Sequence, residues 1–236
     1  MKIGILEAGV PPADLASRFG RYDAMTADLL GAGFDTVTYR VRDGELPPSP
    51  EACAGYVVTG SAAGVYDDLP WIAPLRAFLR EAKGRAKLVG ICFGHQIMAE
   101  AFGGRVVKSD KGWGLGLQRY DIREQPSWAD PVPSFAIPAS HQDQVVAPPP
   151  ATRILAGSAF APFSALIYDD QPAISFQGHP EFTPAYAKAL LALCHAERLE
   201  PGAFGAVTTS LDGPNDCARI GSWIGRFLLE GRARLT

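Results

Sequence analysis

The chemistry of this 236-residue chain is most legible at Lys87-Leu-Val-Gly-Ile-Cys92-Phe-Gly-His-Gln. There an apolar run enters Gly-Ile-Cys-Phe-Gly, and a helical pattern starts at once. This is the cysteine counterpart of the Gly-x-Ser-x-Gly nucleophile elbow, a sharp strand-to-helix turn. Such a turn forces its central residue into strained backbone geometry. Gly90 and Gly94 remove the side chains that would block close strand–helix packing. The Cys92 thiol is therefore predicted at the top of a sheet and at a helix N-terminus, where the macrodipole and free N–H groups favour thiolate. The same N–H groups, that of Phe93 foremost, suit an oxyanion. An isolated Gly-x-Cys-x-Gly is as often a buried structural cysteine, because cysteine packs as a small hydrophobe. The strand before and the helix after favour the nucleophile here. Cys53, Cys194 and Cys217 have no such setting and are expected to be structural.

A thiolate that must later protonate a leaving amine needs an acid/base partner, usually histidine. Of the four histidines, His95 follows Cys92 within one turn and is expected to point away from the thiol. His195 lies in a polar stretch, Cys-His-Ala-Glu-Arg, and is expected to face solvent. His141 and His179 remain. His179 sits in Ile174-Ser-Phe-Gln-Gly-His-Pro-Glu-Phe, on a loop just past an apolar strand. In parallel α/β sheets that edge is where sites form. Glu181 follows two residues later, with Pro180 stiffening the link. A carboxylate so placed can accept the imidazole's second N–H and hold one tautomer. Taken alone, His-Pro-Glu is more often an ordinary polar turn.

The elements that must position these groups follow from periodicity. Lys2–Leu6, Phe34–Val41, Gly55–Thr59 and Lys87–Ile91 read as short apolar strands. Asp14–Leu30, Leu69–Ala82 and Phe93–Phe102 read as helices, the first weakened in its middle by Gly20. Trp71, Leu75, Phe78 and Leu79 share one face of the second, so core packing is the plain reading of Trp71. The order β-α-β-β-α-β-α implies a parallel sheet covered on both faces. From Arg105 to Phe176, strand-like pieces separated by Pro- and Gly-rich turns suggest antiparallel additions at a sheet edge rather than a second domain. Pro184–Ala196 and Asp216–Leu229 read as closing helices. One domain over residues 1–236 is expected.

Composition narrows the function classes. Hydrophobic residues make up 47% of the chain, enough for a full core, and the formal charge is only −3. With no Lys/Arg cluster, a nucleic-acid binder is disfavoured. No apolar run approaches a membrane span, and the opening MKIGILEAGV reads as a strand rather than a signal peptide. The cysteine spacing suggests neither a zinc site nor a disulfide framework, so no metal and a reduced, cytoplasmic setting are expected.

With Gly-Ile-Cys-Phe-Gly-His-Gln at 90–96 and Gln-Gly-His-Pro-Glu-Phe at 177–182, the chain resembles the class I (triad) glutamine amidotransferases. The resemblance is nearest to stand-alone relatives of the GMP synthase glutaminase domain, including the γ-glutamyl peptidases. Phe19-Gly-Arg-Tyr22 and Val65-Tyr-Asp-Asp-Leu-Pro-Trp71 look like that branch, and the match covers roughly residues 1–185. It implies a flavodoxin-like open α/β sheet, mostly parallel with antiparallel edge additions. It also implies Cys92 as nucleophile, His179 as acid/base and Glu181 as its orienting carboxylate. Val57-Val-Thr-Gly-Ser61 falls where the family has its oxyanion loop, so Gly60 is implied as the second N–H donor beside Phe93, with Ser61 adjoining the substrate. Gln96 matches a substrate-holding glutamine. Ser140-His-Gln-Asp-Gln-Val145 resembles the family's Ser-His-x-Asp-x-Val segment, and so implies His141, Gln142 and Asp143 around the α-amino and α-carboxylate groups. Relatives often carry Glu after the Trp of Lys111-Gly-Trp-Gly; this chain has Gly114.

The implied reaction is hydrolysis of a γ-glutamyl amide, in glutamine or another γ-glutamyl compound, through a thioester and without a cofactor. Ammonia from such a reaction normally passes to a synthetase. No Gly-x-x-x-x-Gly-Lys-[Ser/Thr] occurs, and the glutaminase fold uses most of the length. Three readings follow: a separate ammonia-accepting synthetase as partner, a stand-alone γ-glutamyl peptidase acting on glutathione-like peptides, or an inactive γ-glutamyl-binding module.

Overall fold

Apolar strand residues of alternating orientation divide the interior into two packed faces. In a computed structural model, which describes residues 1–200 and 202–230, β1 (Lys2–Leu6), β2 (Asp35–Tyr39), β3 (Gly55–Val58) and β4 (Lys87–Ile91) pair in parallel. Tyr56 and Val58 point to one side with Leu88, and Val57 to the other with Val89 and Ile91. On the first side, α3 (Ile72–Ala82) and α4 (Phe93–Ala101) bring Leu75, Leu79 and Ile97 onto the sheet. On the second, α7 (Cys217–Leu229) brings Ile220, Trp223 and Ile224, packed beside α2 (Tyr22–Leu30). Trp71 joins the first core and packs against Phe93, ring centroids 5.4 Å apart and planes tilted by 53°, as its helical spacing predicts.

One sheet of nine strands runs through the described residues, in the order β2-β1-β3-β4-β11-β10-β9-β6-β7. β11 (Ala173–Phe176) is parallel to β4 and antiparallel to β10 (Ala165–Tyr168). Beyond it, β9 (Thr152–Gly157), β6 (Gly114–Ile122) and β7 (Ser134–His141) are all antiparallel. The antiparallel additions are therefore four of the nine strands. β5 (Arg105–Lys108) and β8 (Asp143–Ala147) form a separate antiparallel pair.

Two differences from expectation stand out. The helix expected over Asp14–Leu30 is two helices, α1 (Ala13–Phe19) and α2, because Gly20 takes φ 85° and Arg21 is extended. β8, β9 and α6 (Ala203–Ser210) were not anticipated. α5 (Pro184–Cys194) and α7 match the two expected closing helices, and the hydroxyl of Thr183 caps α5 by accepting the N–H of Tyr186. No helix among the described residues is long and apolar enough to cross a membrane.

Candidate active site

The turn after β4 has the strained geometry that its glycines predict. Cys92 takes φ 52° and ψ −102°, in the left-handed half of the map that L residues avoid. A Cβ at Gly90 would lie 2.6 Å from the Gly94 carbonyl, and one at Gly94 would lie 2.2 Å from the Val58 oxygen. Only glycine allows strand and helix so close. Cys92 thus sits at the N-cap of α4, next to the first-turn N–H groups, among them that of Phe93, which have no acceptor within the helix.

The adjacent parallel strand delivers the imidazole. Phe176 pairs with Ile91, and the N–H of Cys92 donates to the Phe176 oxygen at 2.8 Å. The chain then runs through Gln177 and Gly178 to His179, whose N–H donates to the Pro138 oxygen at 2.8 Å. His179 Nδ1 lies 2.7 Å from Glu181 Oε1, both groups being buried. The imidazole lies flat on the Phe182 ring, with 4.0 Å between centroids and 7° between planes. Burial pulls the His179 pKa down. The charges of Cys92 and Glu181, and hydrogen bonds to both, outweigh burial and hold it up at about 10. The ring is therefore protonated through the neutral range, with sulfur on one side and carboxylate on the other.

Gly60 closes the third side. A Cβ there would lie 2.8 Å from His179 Cε1 and 3.7 Å from Cys92 Cβ, so residue 60, the imidazole and the cysteine crowd one point. The end of β1 fixes this segment: Thr59 N–H donates to the Leu6 oxygen, and Thr59 Oγ1 accepts from Ala8 N–H. Ser61, in contrast, is used locally, its Oγ accepting the Ala63 N–H.

The remaining expected residues divide into two groups. Gln96 is no surface helix residue: it is buried, and its amide donates to the Asp143 oxygen (2.9 Å) and to Gln177 Oε1 (3.2 Å). His141 is buried beside it. Its Nδ1 lies 3.1 Å from the Asp143 oxygen, and burial first, then the His179 charge, work to lower its pKa, to about 4 despite that backbone bond. The Asp143 carboxylate accepts the Tyr66 hydroxyl at 2.8 Å. Gln142 turns away and donates to the Ser109 oxygen, tying the β7–β8 junction to the end of β5. A Cβ at Gly114 would lie 2.7 Å from the Phe160 ring and 3.1 Å from His141 Nε2, so Phe160 occupies the space that a larger residue would need.

Two residues correct the sequence reading. His195 does not face solvent: it is buried, 2.9 Å from the Ser140 hydroxyl through Nε2 and 4.6 Å from the Trp113 ring. Its polar sequence neighbours concealed partners far away in the chain. Gln177 was read only as part of a motif, yet its amide reaches Cys92 Sγ at 3.8 Å. Its position two residues before His179, just past the end of an apolar strand, is the signal that could have found it.

The sequence and the fold both have counterparts among known proteins. The family model described as glutamine amidotransferase class-I matches residues 43–194. A glutamine amidotransferase-like protein of Schizosaccharomyces pombe is 30% identical over 197 residues, 77% of this chain and 79% of that protein. γ-Glutamyl peptidase 4 of Arabidopsis thaliana is 31% identical over 189 residues, 75% of each chain. A glutamine amidotransferase structure from Thermotoga maritima superposes with a TM-score of 0.76 at 15% identity, covering 97% of this chain and 98% of that one. With elbow, sheet order and family model in agreement across most of its length, this chain belongs to the class I glutamine amidotransferases.

Proposed function

We propose that the protein hydrolyses a γ-glutamyl amide, with Cys92 as nucleophile, His179 as acid/base and Glu181 as the group that orients it. The observation that carries this is the buried row of sulfur, imidazole and carboxylate at the strained turn after β4. In the proposed cycle the Cys92 thiolate attacks the amide carbon, and the oxyanion is met by the N–H groups of Phe93 and Gly60. The imidazolium gives its proton to the departing nitrogen as the C–N bond breaks, leaving a γ-glutamyl thioester and ammonia or an amine. Water then attacks the thioester, returns a proton to His179 and releases glutamate with the thiolate. Gln96, His141 and Asp143 line the side on which the amino-acid end of the substrate is expected to lie, whereas the side chain of Gln142, turned to the Ser109 oxygen, does not.

Glutamine as substrate with an ammonia-accepting synthetase as partner is one form of this reading. Cleavage of γ-glutamyl peptides without a partner is the second, favoured by similarity to a γ-glutamyl peptidase over three quarters of both chains. Treatment with an electrophilic glutamine analogue, followed by peptide mass mapping, tests the assignment. One label on Cys92 is expected, with turnover abolished in Cys92→Ala; label on Cys53, Cys194 or Cys217 refutes it. Assays against glutamine and glutathione separate the two forms. Turnover of glutathione by the chain alone supports the peptidase. Weak glutaminase activity that rises on adding a synthetase supports the amidotransferase.

A further inference from the structure

The proposed row is closed in this structure. Cys92 and His179 are each 4% exposed and Gln96 3%, so almost none of the row meets solvent. A surface groove of about 440 Å³ lies elsewhere, between α2 and α7 beyond Pro180. Substrate entry therefore requires a contact over the site to be exchanged.

Asp143 presents that contact. Its backbone oxygen is anchored twice from within, by Gln96 Nε2 and by His141. Its carboxylate, among the described residues, is hydrogen-bonded by the Tyr66 hydroxyl at 2.8 Å. Tyr66 follows the Gly60 turn in the chain and is 53% exposed, so the bond lies at the solvent surface. The fit is close: a Cβ at Gly64 would lie 2.8 Å from the Tyr66 ring and 3.3 Å from Asp143 Oδ2. The bond thus joins the segment after Gly60 to the opposite wall of the site. A solvent-exposed hydroxyl–carboxylate bond is weaker than the bond of the same carboxylate to an ammonium group, which adds charge to the hydrogen bond.

We infer that Tyr66 is a specificity-determining residue: its hydroxyl caps the Asp143 carboxylate and holds the site shut until a cationic group of the substrate takes its place. The inference rests on the proposed reading in which Asp143 faces the substrate's α-ammonium. Uncharged compounds leave the cap in place, whereas a γ-glutamyl compound with a free α-amine exchanges it.

The test uses the whole chain and a small neutral thiol reagent. In Tyr66→Phe, whose ring is exposed and leaves the core untouched, alkylation of Cys92 by iodoacetamide is expected to accelerate by about tenfold. KM falls in the same variant, for whichever of L-glutamine and glutathione is turned over. Asp143→Asn keeps an acceptor for the Tyr66 hydroxyl but loses the charge, so KM rises while alkylation stays at the wild-type rate. An unchanged alkylation rate in Tyr66→Phe overturns the cap. A raised KM in that variant also overturns it, because the hydroxyl then binds substrate directly. Iodoacetamide that modifies other cysteines but never Cys92, in any variant, overturns the nucleophile assignment as well, so the two failures are told apart.

Discussion

One methyl group at position 60 is the smallest probe of the row of side chains. The Gly60→Ala Cβ would press on His179 Cε1, and that ring cannot retreat, because Phe182 lies flat against it and Glu181 holds its Nδ1. A displacement of under an ångström is the expected result, and kcat/KM is expected to fall on the order of a hundredfold. Steady-state kinetics beside an unchanged circular dichroism spectrum checks this; near wild-type turnover would sink the idea that Gly60 borders the reacting atoms. That Cys92, His179 and Glu181 meet at one sheet edge was legible in the sequence because their placement is set by near neighbours: Gly90 and Gly94 around the thiol, Pro180 and a strand end around the imidazole. The buried states of Gln96 and His195, the reach of Gln177 to the sulfur and the bond from Tyr66 to Asp143 were not legible. Each depends on a partner that only the completed sheet brings near.

Among the elements, the joint between β3 and α4 carries the greatest constraint. Gly94→Ala would set a Cβ 2.2 Å from the Val58 carbonyl oxygen, a backbone atom that no rotamer change can move. Overpacking of this kind costs about 1–3 kcal/mol. A lower urea midpoint with an unchanged slope is expected, and wild-type stability would show that α4 can shift freely against the sheet. Because β3 leads directly to Gly60, activity should fall beyond what the lost stability explains. The parallel half was readable because its strands are short, and β3 and β4 are apolar runs set apart by the clear amphipathic pattern of α3. The antiparallel half was readable only as strand-like pieces, since Pro and Gly turns interrupt it and the first half of β9 is partly exposed and carries Thr152 and Arg153. The break between α1 and α2 turned on one dihedral angle at Gly20, which periodicity does not encode.

For the whole molecule, buried histidines set the response to acid. Burial first, then the positive charge of a neighbouring histidine, work to keep both rings neutral: His95 is lowered from 6.5 to about 3, and His141 from 6.5 to about 4. Their folded pKa values lie below the unfolded ones, so their contribution to stability is present above pH 6.5 and is lost as pH falls towards 4. His179 has the opposite sign. Its raised pKa adds stability below pH 6.5 that disappears as pH rises through about 10, and in acid it is protonated in both states. His195 is a third ring kept neutral, lowered to about 4 by burial and then by the Arg198 charge. Between pH 6 and pH 4.5 each of these three neutral histidines removes roughly 1.4 kcal/mol per pH unit. Differential scanning calorimetry should show the thermal midpoint falling steeply over that interval; a flat profile would mean that none of the three rings is neutral in the folded chain. The antiparallel half also governs how this protein is made. β4, which leads to Cys92, leaves the ribosome long before β11, so until residue 176 emerges one edge of β4 has no permanent neighbour. A nascent chain therefore holds Cys92 without His179: under the proposed assignment it is catalytically silent during synthesis, and it carries an open strand edge that invites mispairing until the last strand slots in.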